Sequence, residues 1–158
     1  MANGFHGLTY VAEGVYLWGI KSPVRHRAMP MNETPLVSAI FDQLQRAMAC
    51  DPAGFTELYR DYLADAWQAV GTISDGARRR QPAEVKAGAH RLKGSSMVLG
   101  ACRVAQCAAV LEELGSGGDL EGAAAELQRT RQALREVEAE LAVRLGAAVV
   151  PADKTGAA

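Results

Sequence analysis

The sequence predicts an all-α fold, an antiparallel bundle of amphipathic helices, and three observations lead there. Apolar residues recur at helical spacing in five successive stretches between Thr34 and Leu145. Those stretches are joined by short turns marked by Pro, Gly and Asp. No apolar alternation runs long enough to specify a strand. With 158 residues, 49% of them apolar, the chain has the length to bury one core.

Residues 1–33 stand apart. Gly4, Gly7, Gly14, Gly19 and Pro23 interrupt any helical pattern, so this segment is read as a poorly defined N-terminal extension. Two accounts of it stand side by side: an upstream stretch preceding a start at Met29 or Met31, or a native segment that packs through Tyr10, Tyr16, Leu17 and Trp18. The helical domain is assigned to 34–146 and a disordered tail to 147–158.

Thr34 and Pro35 provide an N-cap and a first helical position for a short first helix that ends near Cys50, with Val37, Ile40, Phe41, Leu44 and Met48 as its apolar stripe. Asp51-Pro52 repeats the start signal. Phe55, Leu58, Tyr59, Tyr62, Leu63, Ala66, Val70 and Ile73 then line one face of a second helix, with Trp67 as a core or rim residue. Arg78-Arg79-Arg80 falls between helical patterns and is read as a solvated loop, with a part in partner docking as the second reading. Pro82 opens the third helix, which Gly100 breaks. The fourth carries Val104, Cys107, Leu111 and Leu114, and the Gly115-Ser116-Gly117-Gly118 run reads as the turn that ends it. Asp119 caps a long last helix with Leu127, Thr130, Leu134, Val137, Leu141 and Leu145 as its seam.

The third helix holds the chemistry. At about 100° per residue, Val85, Ala89, Leu92, Ser96 and Leu99 fall within about 40° of one direction, which makes them the core stripe. His90 then points about 140° away, Gly94 about 180°, Met97 about 120° and Lys93 about 80°. An exposed imidazole is a nucleophile through one ring nitrogen when the other is held as N–H. Lys93, three residues on, brings an ammonium close enough to balance negative charge arriving at the ring. Gly94 costs about 1 kcal/mol relative to alanine inside a helix, and the gain that offsets it is clearance for another surface. Together these residues suit the carriage of a phosphoryl group to a docking protein.

The run His90-x-Leu92-Lys93-Gly94-Ser95-Ser96-x-x-Leu99-Gly100-Ala101 resembles the signature of histidine phosphotransfer (HPt) domains of multistep two-component phosphorelays. The resemblance covers about Pro35 to Leu145 and implies an up-and-down four-helix bundle preceded by a short helix. It also implies reversible transfer between Nε2 of His90 and an aspartate of a response-regulator receiver domain, with a hybrid histidine kinase upstream. Such domains often carry glutamine where Glu112 stands, and their chemotaxis-kinase relatives carry glutamate. In that role Glu112 accepts Nδ1–H of His90; the other reading is a solvated glutamate beside Glu113. Ser95 either donates to phosphoryl oxygens or caps local backbone, Ser96 is structural, and Ala87 and Met97 offer apolar surface to a receiver.

Other features restrict the function classes. Lys+Arg 17 against Asp+Glu 18, interspersed, argues against a nucleic-acid partner. There is no Walker or kinase-type glycine loop and no acidic cluster near His90, so no intrinsic cofactor or metal site is expected and Mg2+ is assigned to the receiver. Cys50, Cys102 and Cys107 have no metal-site or disulfide spacing, consistent with reduced thiols and a cytoplasmic location. No apolar run reaches membrane-spanning length. The chain is thus expected to be a monomeric carrier without a kinase domain of its own. Its principal alternative is a helical binding module that regulates a receiver or kinase sterically with His90 unphosphorylated. A chemotaxis-kinase substrate domain fits Ser95-Ser96 less well.

Overall fold

Burial of the periodic apolar faces organises the chain, described here over residues 34–151 in a computed structural model. Its α-helices are α1 (Ser38–Ala47), α2 (Pro52–Arg78), α3 (Pro82–Val98), α4 (Cys102–Gly117) and α5 (Leu120–Leu145), and the described residues contain no strand. The expected N-terminal extension and residues 152–158 of the tail lie outside the described residues. Helix α3 packs against α2 and α4, and α5 against the same two.

Local chemistry explains most of the boundaries. The Asp51 side chain accepts a hydrogen bond from the Gly54 amide at 2.9 Å, and Asp119 does the same for Gly122 at 2.8 Å, each satisfying a free amide of a helix start. Pro52 and Pro82 occupy first-turn positions. Gly118, at φ +74°, ends α4 in the left-handed conformation that glycine tolerates best.

On α2 and α5 the expected stripes are buried almost as read, whereas of the α1 stripe only Phe41 is buried and Val37, Ile40, Leu44 and Met48 are half-buried. Phe55, Tyr59, Tyr62, Leu63, Ala66, Val70 and Ile73 are buried on α2, with Leu58 half-buried, and the α5 seam is buried from Leu127 to Leu141, with Leu145 half-buried. Phe41, Phe55 and Tyr59 form a cluster with centroids 5.2–5.4 Å apart. Arg144 lies 4.9 Å over the Phe41 ring and donates to the Ser38 hydroxyl at 3.0 Å, tying α1 to α5.

Four expectations need correction. Helix α1 starts at Ser38 behind an uncapped Val37, not at Thr34-Pro35. The reason is long-range: Leu36 is fully buried and the Val37 amide donates to the Gly100 carbonyl at 2.9 Å, which holds this segment against the α3–α4 connection instead of winding it. Gly115, Ser116 and Gly117 belong to α4 and are not the turn, because Gly115 is buried where the α4 backbone meets that of α3. On α4 the buried residues are Cys102, Val104, Ala105, Ala108, Leu111 and Gly115, while Cys107 and Leu114 are half-buried. The tail is not free from residue 147: Ala147–Val149 form a 3-10 turn, Val149 is fully buried, and Arg60 donates to the Ala148 carbonyl at 2.9 Å.

All three cysteines are free thiols: Cys50 exposed, Cys102 buried, Cys107 half-buried. Burial raises the Cys102 thiol, and it pushes the Cys107 thiol up to about 11, assisted by the neighbouring Glu126 carboxylate. No helix among the described residues is long and apolar enough to cross a membrane.

Candidate functional site

Helix α3 is fixed by its buried face. Val85, Ala89, Leu92, Ser96 and Leu99 are all buried, as the helical wheel requires. Two tyrosines of α2 hold the end of this helix: the Tyr62 hydroxyl and Ser96 Oγ are 3.0 Å apart, and the Tyr59 hydroxyl donates to the Leu99 carbonyl at 3.3 Å. Burial pushes the Tyr59 hydroxyl up to about 12 and raises that of Tyr62 further, so both remain protonated hydrogen-bonding groups near neutrality. Sequence reasoning placed both rings in the core but missed these anchoring roles, for which the only local signal was the serine on a buried face.

With α3 held at this rotation, the His90 side chain stands out of the helix, 68% exposed. Its Nδ1 is 2.9 Å from Oε1 of Glu112 on α4. The other oxygen of the same carboxylate, Oε2, accepts from Lys93 Nζ at 2.5 Å. The hydrogen bond from Lys93, followed by the one from His90, holds the Glu112 carboxyl below its ordinary value against the opposing effect of burial. An ionised carboxylate only accepts hydrogen bonds, so Nδ1 carries the proton and Nε2 of the neutral ring keeps its lone pair. His90, Lys93 and Glu112 therefore form one group across the α3–α4 contact. The half-buried Glu112 is not a solvated glutamate.

The remaining candidates divide. Ala87, Gly94 and Met97 are exposed on α3 with His90. A Cβ added at Gly94 would meet nothing within 4 Å, so no internal contact of the described chain requires glycine there. Ser95 does not join the cluster: its hydroxyl donates to the Leu92 and Arg91 carbonyls at 3.2 and 3.3 Å, the local backbone role. Val98, 68% exposed and one turn after Gly94, adds apolar surface next to Met97, which is 45% exposed. Its i+4 spacing from Gly94 was the available signal for it. Arg78, Arg79 and Arg80 are exposed at the α2–α3 connection, where Arg78 pairs with Asp75 and Arg79 with Glu84. No group of three or more His, Cys, Asp or Glu among the described residues is placed to hold a metal ion.

The sequence pattern of the Hpt domain matches residues 57–140, more than half of the chain. The chain belongs to the Hpt domain family. Hpt domains are phosphotransfer carriers rather than kinases, and the role of this one is histidine phosphotransfer. Its fold is similar to the crystal structure of histidine-containing phosphotransfer protein B from Pseudomonas aeruginosa PAO1, with a TM-score of 0.66 at 20% identity, covering 70% of this chain and 94% of that one. Comparison with curated proteins gives no match. The 57–140 match begins inside α2 and contains α3 and α4 entire, so the Hpt-defining part of the chain includes all three members of the imidazole cluster.

Proposed function

We propose that this Hpt domain accepts a phosphoryl group on Nε2 of His90 and returns it to an aspartate, the partners being receiver domains of response regulators and a hybrid histidine kinase. The observation that carries the reading is the Nδ1 contact to Glu112 at 2.9 Å on a ring that is 68% exposed. It supports the Nδ1–H tautomer, whose Nε2 lone pair points toward solvent, the form an in-line attack on phosphorus uses. In the forward step Nε2 bonds to phosphorus as the P–O bond of the aspartyl phosphate breaks. The aspartate leaves as carboxylate and the Nδ1 proton stays in place, shared with Glu112.

Gly94 provides clearance for the incoming receiver, and Ala87 and Met97, joined by Val98, provide the apolar surface it packs against. The protein needs no cofactor of its own; Mg2+ comes with the receiver's acidic pocket. We place α2 to α5 in an antiparallel up-and-down four-helix bundle preceded by α1, a reading supported by the helix pairings and by connections of 79–81, 99–101 and 118–119. The carrier acts as a monomer in the cytoplasm, without nucleic-acid or membrane partners.

The test is incubation with a phosphorylated receiver domain and Mg2+. An acid-labile, base-stable phosphate appears on the parent chain and is absent from His90→Gln at unchanged helical content. Labelling that survives in His90→Gln refutes the assignment.

A further inference from the structure

We infer that Lys93 is a positioning residue that acts through Glu112, and is not the counter-ion of the phosphoryl group. The inference rests on the proposed function and deepens it. Spacing alone aims the Lys93 ammonium at charge arriving on His90, three residues away. In the folded chain that ammonium is instead engaged by Oε2 of Glu112, while Oε1 of the same carboxylate receives Nδ1 of His90. One carboxylate thus has two cationic or polar donors, one on each oxygen, and both come from α3.

Burial ranks these partners. The Glu112 side chain is 19% exposed and that of Lys93 31%, so their ion pair is better shielded from water than the imidazole, at 68%. A carboxylate held at one oxygen only can turn about its last torsion and swing to solvent. Held at Oε2 by Lys93, it keeps Oε1 aligned on Nδ1. Lys93 thereby fixes the tautomer of His90 without touching the reacting nitrogen. Turning the ammonium away from Oε2 toward a phosphoryl group on Nε2 would release the carboxylate that stabilises the Nδ1–H form. The Lys93 ammonium is seated on Oε2 of Glu112, which favours the first role.

The experiment uses the full chain and phosphoramidate, a small donor that needs no receiver: its N–P bond breaks, ammonia leaves, and an N–P bond forms at Nε2. The parent, Lys93→Met, Lys93→Arg, Glu112→Gln and the Lys93→Met/Glu112→Gln double variant are compared by imidazole 15N shifts, which report the tautomer ratio. The hydrolysis lifetime of the phosphohistidine is measured on the parent and on Lys93→Met. The expected result is that Lys93→Met shifts the tautomer ratio away from Nδ1–H by about twofold to fivefold, the range for a partly exposed ion pair. Lys93→Arg restores the ratio, and Lys93→Met adds no further shift once Glu112 is Gln. The lifetime changes by less than about twofold between parent and Lys93→Met, since the ammonium does not contact the phosphoryl group.

A tautomer ratio that Lys93→Met leaves unmoved overturns the inference. So does an equal shift in the Glu112→Gln background, or a lifetime shortened by about fivefold or more. Failure of the parent to take phosphate on His90 is a separate outcome, which overturns the proposed function itself.

Discussion

Replacing Gly115 by alanine should destabilise this protein, although glycine to alanine inside a helix ordinarily stabilises it by about 1 kcal/mol. A Cβ at Gly115 would lie 2.7 Å from the Lys86 amide nitrogen, 3.1 Å from Lys86 Cα and 3.1 Å from the Pro82 carbonyl oxygen. All three atoms are backbone of α3, so no side chain can rotate out of the way and the helices themselves must separate. Overpacking of this kind costs about 1–3 kcal/mol, which exceeds the helix-propensity gain and leaves a net loss of about 1 kcal/mol. Gly94→Ala is the internal control, since its Cβ would enter open space and only the propensity gain remains.

Thermal unfolding followed by circular dichroism should therefore move the two variants in opposite directions, Gly115→Ala down by about 4 °C and Gly94→Ala up by a similar amount. Glu112 sits one turn before Gly115, so prising α4 from α3 also draws its carboxylate away from His90, and the phosphotransfer rate of Gly115→Ala should fall with its stability. A Tm for Gly115→Ala at or above the parent value would show that α3 and α4 do not approach as closely as described, and the account of the site would fail with it.

Gly94→Leu should fold like the parent yet transfer phosphoryl groups from a receiver roughly tenfold more slowly or worse, because displacing the docked partner by even an ångström spoils in-line geometry; single-turnover transfer rates at matched helical content decide this. Tyr62→Phe should cost about 1 kcal/mol in denaturant unfolding by leaving the Ser96 hydroxyl without its partner, and Ser96→Ala in the same chain should cost less than the two single losses combined. For Glu112 the folded carboxyl lies below its ordinary 4.5, so it binds fewer protons folded than unfolded. Its contribution to stability is therefore present above pH 4.5 and lost as pH falls through the lowered folded value. Tm measured from pH 6 down to pH 3 should fall less steeply in Glu112→Gln than in the parent.

The direction of His90 was legible from sequence because it depends on one local quantity, the angle per residue: once Val85, Ala89, Leu92, Ser96 and Leu99 define the buried side, the exposed side is fixed. Features set by distances between helices were less legible, and the errors share a cause. Hydrophobic periodicity registers large side chains, so it assigned α4 a seam through Cys107 and Leu114, which are half-buried, and passed over Ala105, Ala108 and Gly115. Small residues are buried there because the backbones approach closely, and smallness carries no hydrophobic signal. Gly88, where a Cβ would lie 2.8 Å from Ile73 Cγ1 and clash with it, escaped notice in the same way. The close α3–α4 approach is also what brings Glu112 to the imidazole. Glu112 was foreseen as a partner of His90, but its simultaneous hold on Lys93 depends on the vertical register of two helices, which the wheel of either one does not contain. The glycine run misread as a turn and the unforeseen Lys93–Glu112 pair are thus one omission: a sequence read helix by helix locates the nucleophile, while the charge arrangement around it emerges only when the small residues allow two helices to close.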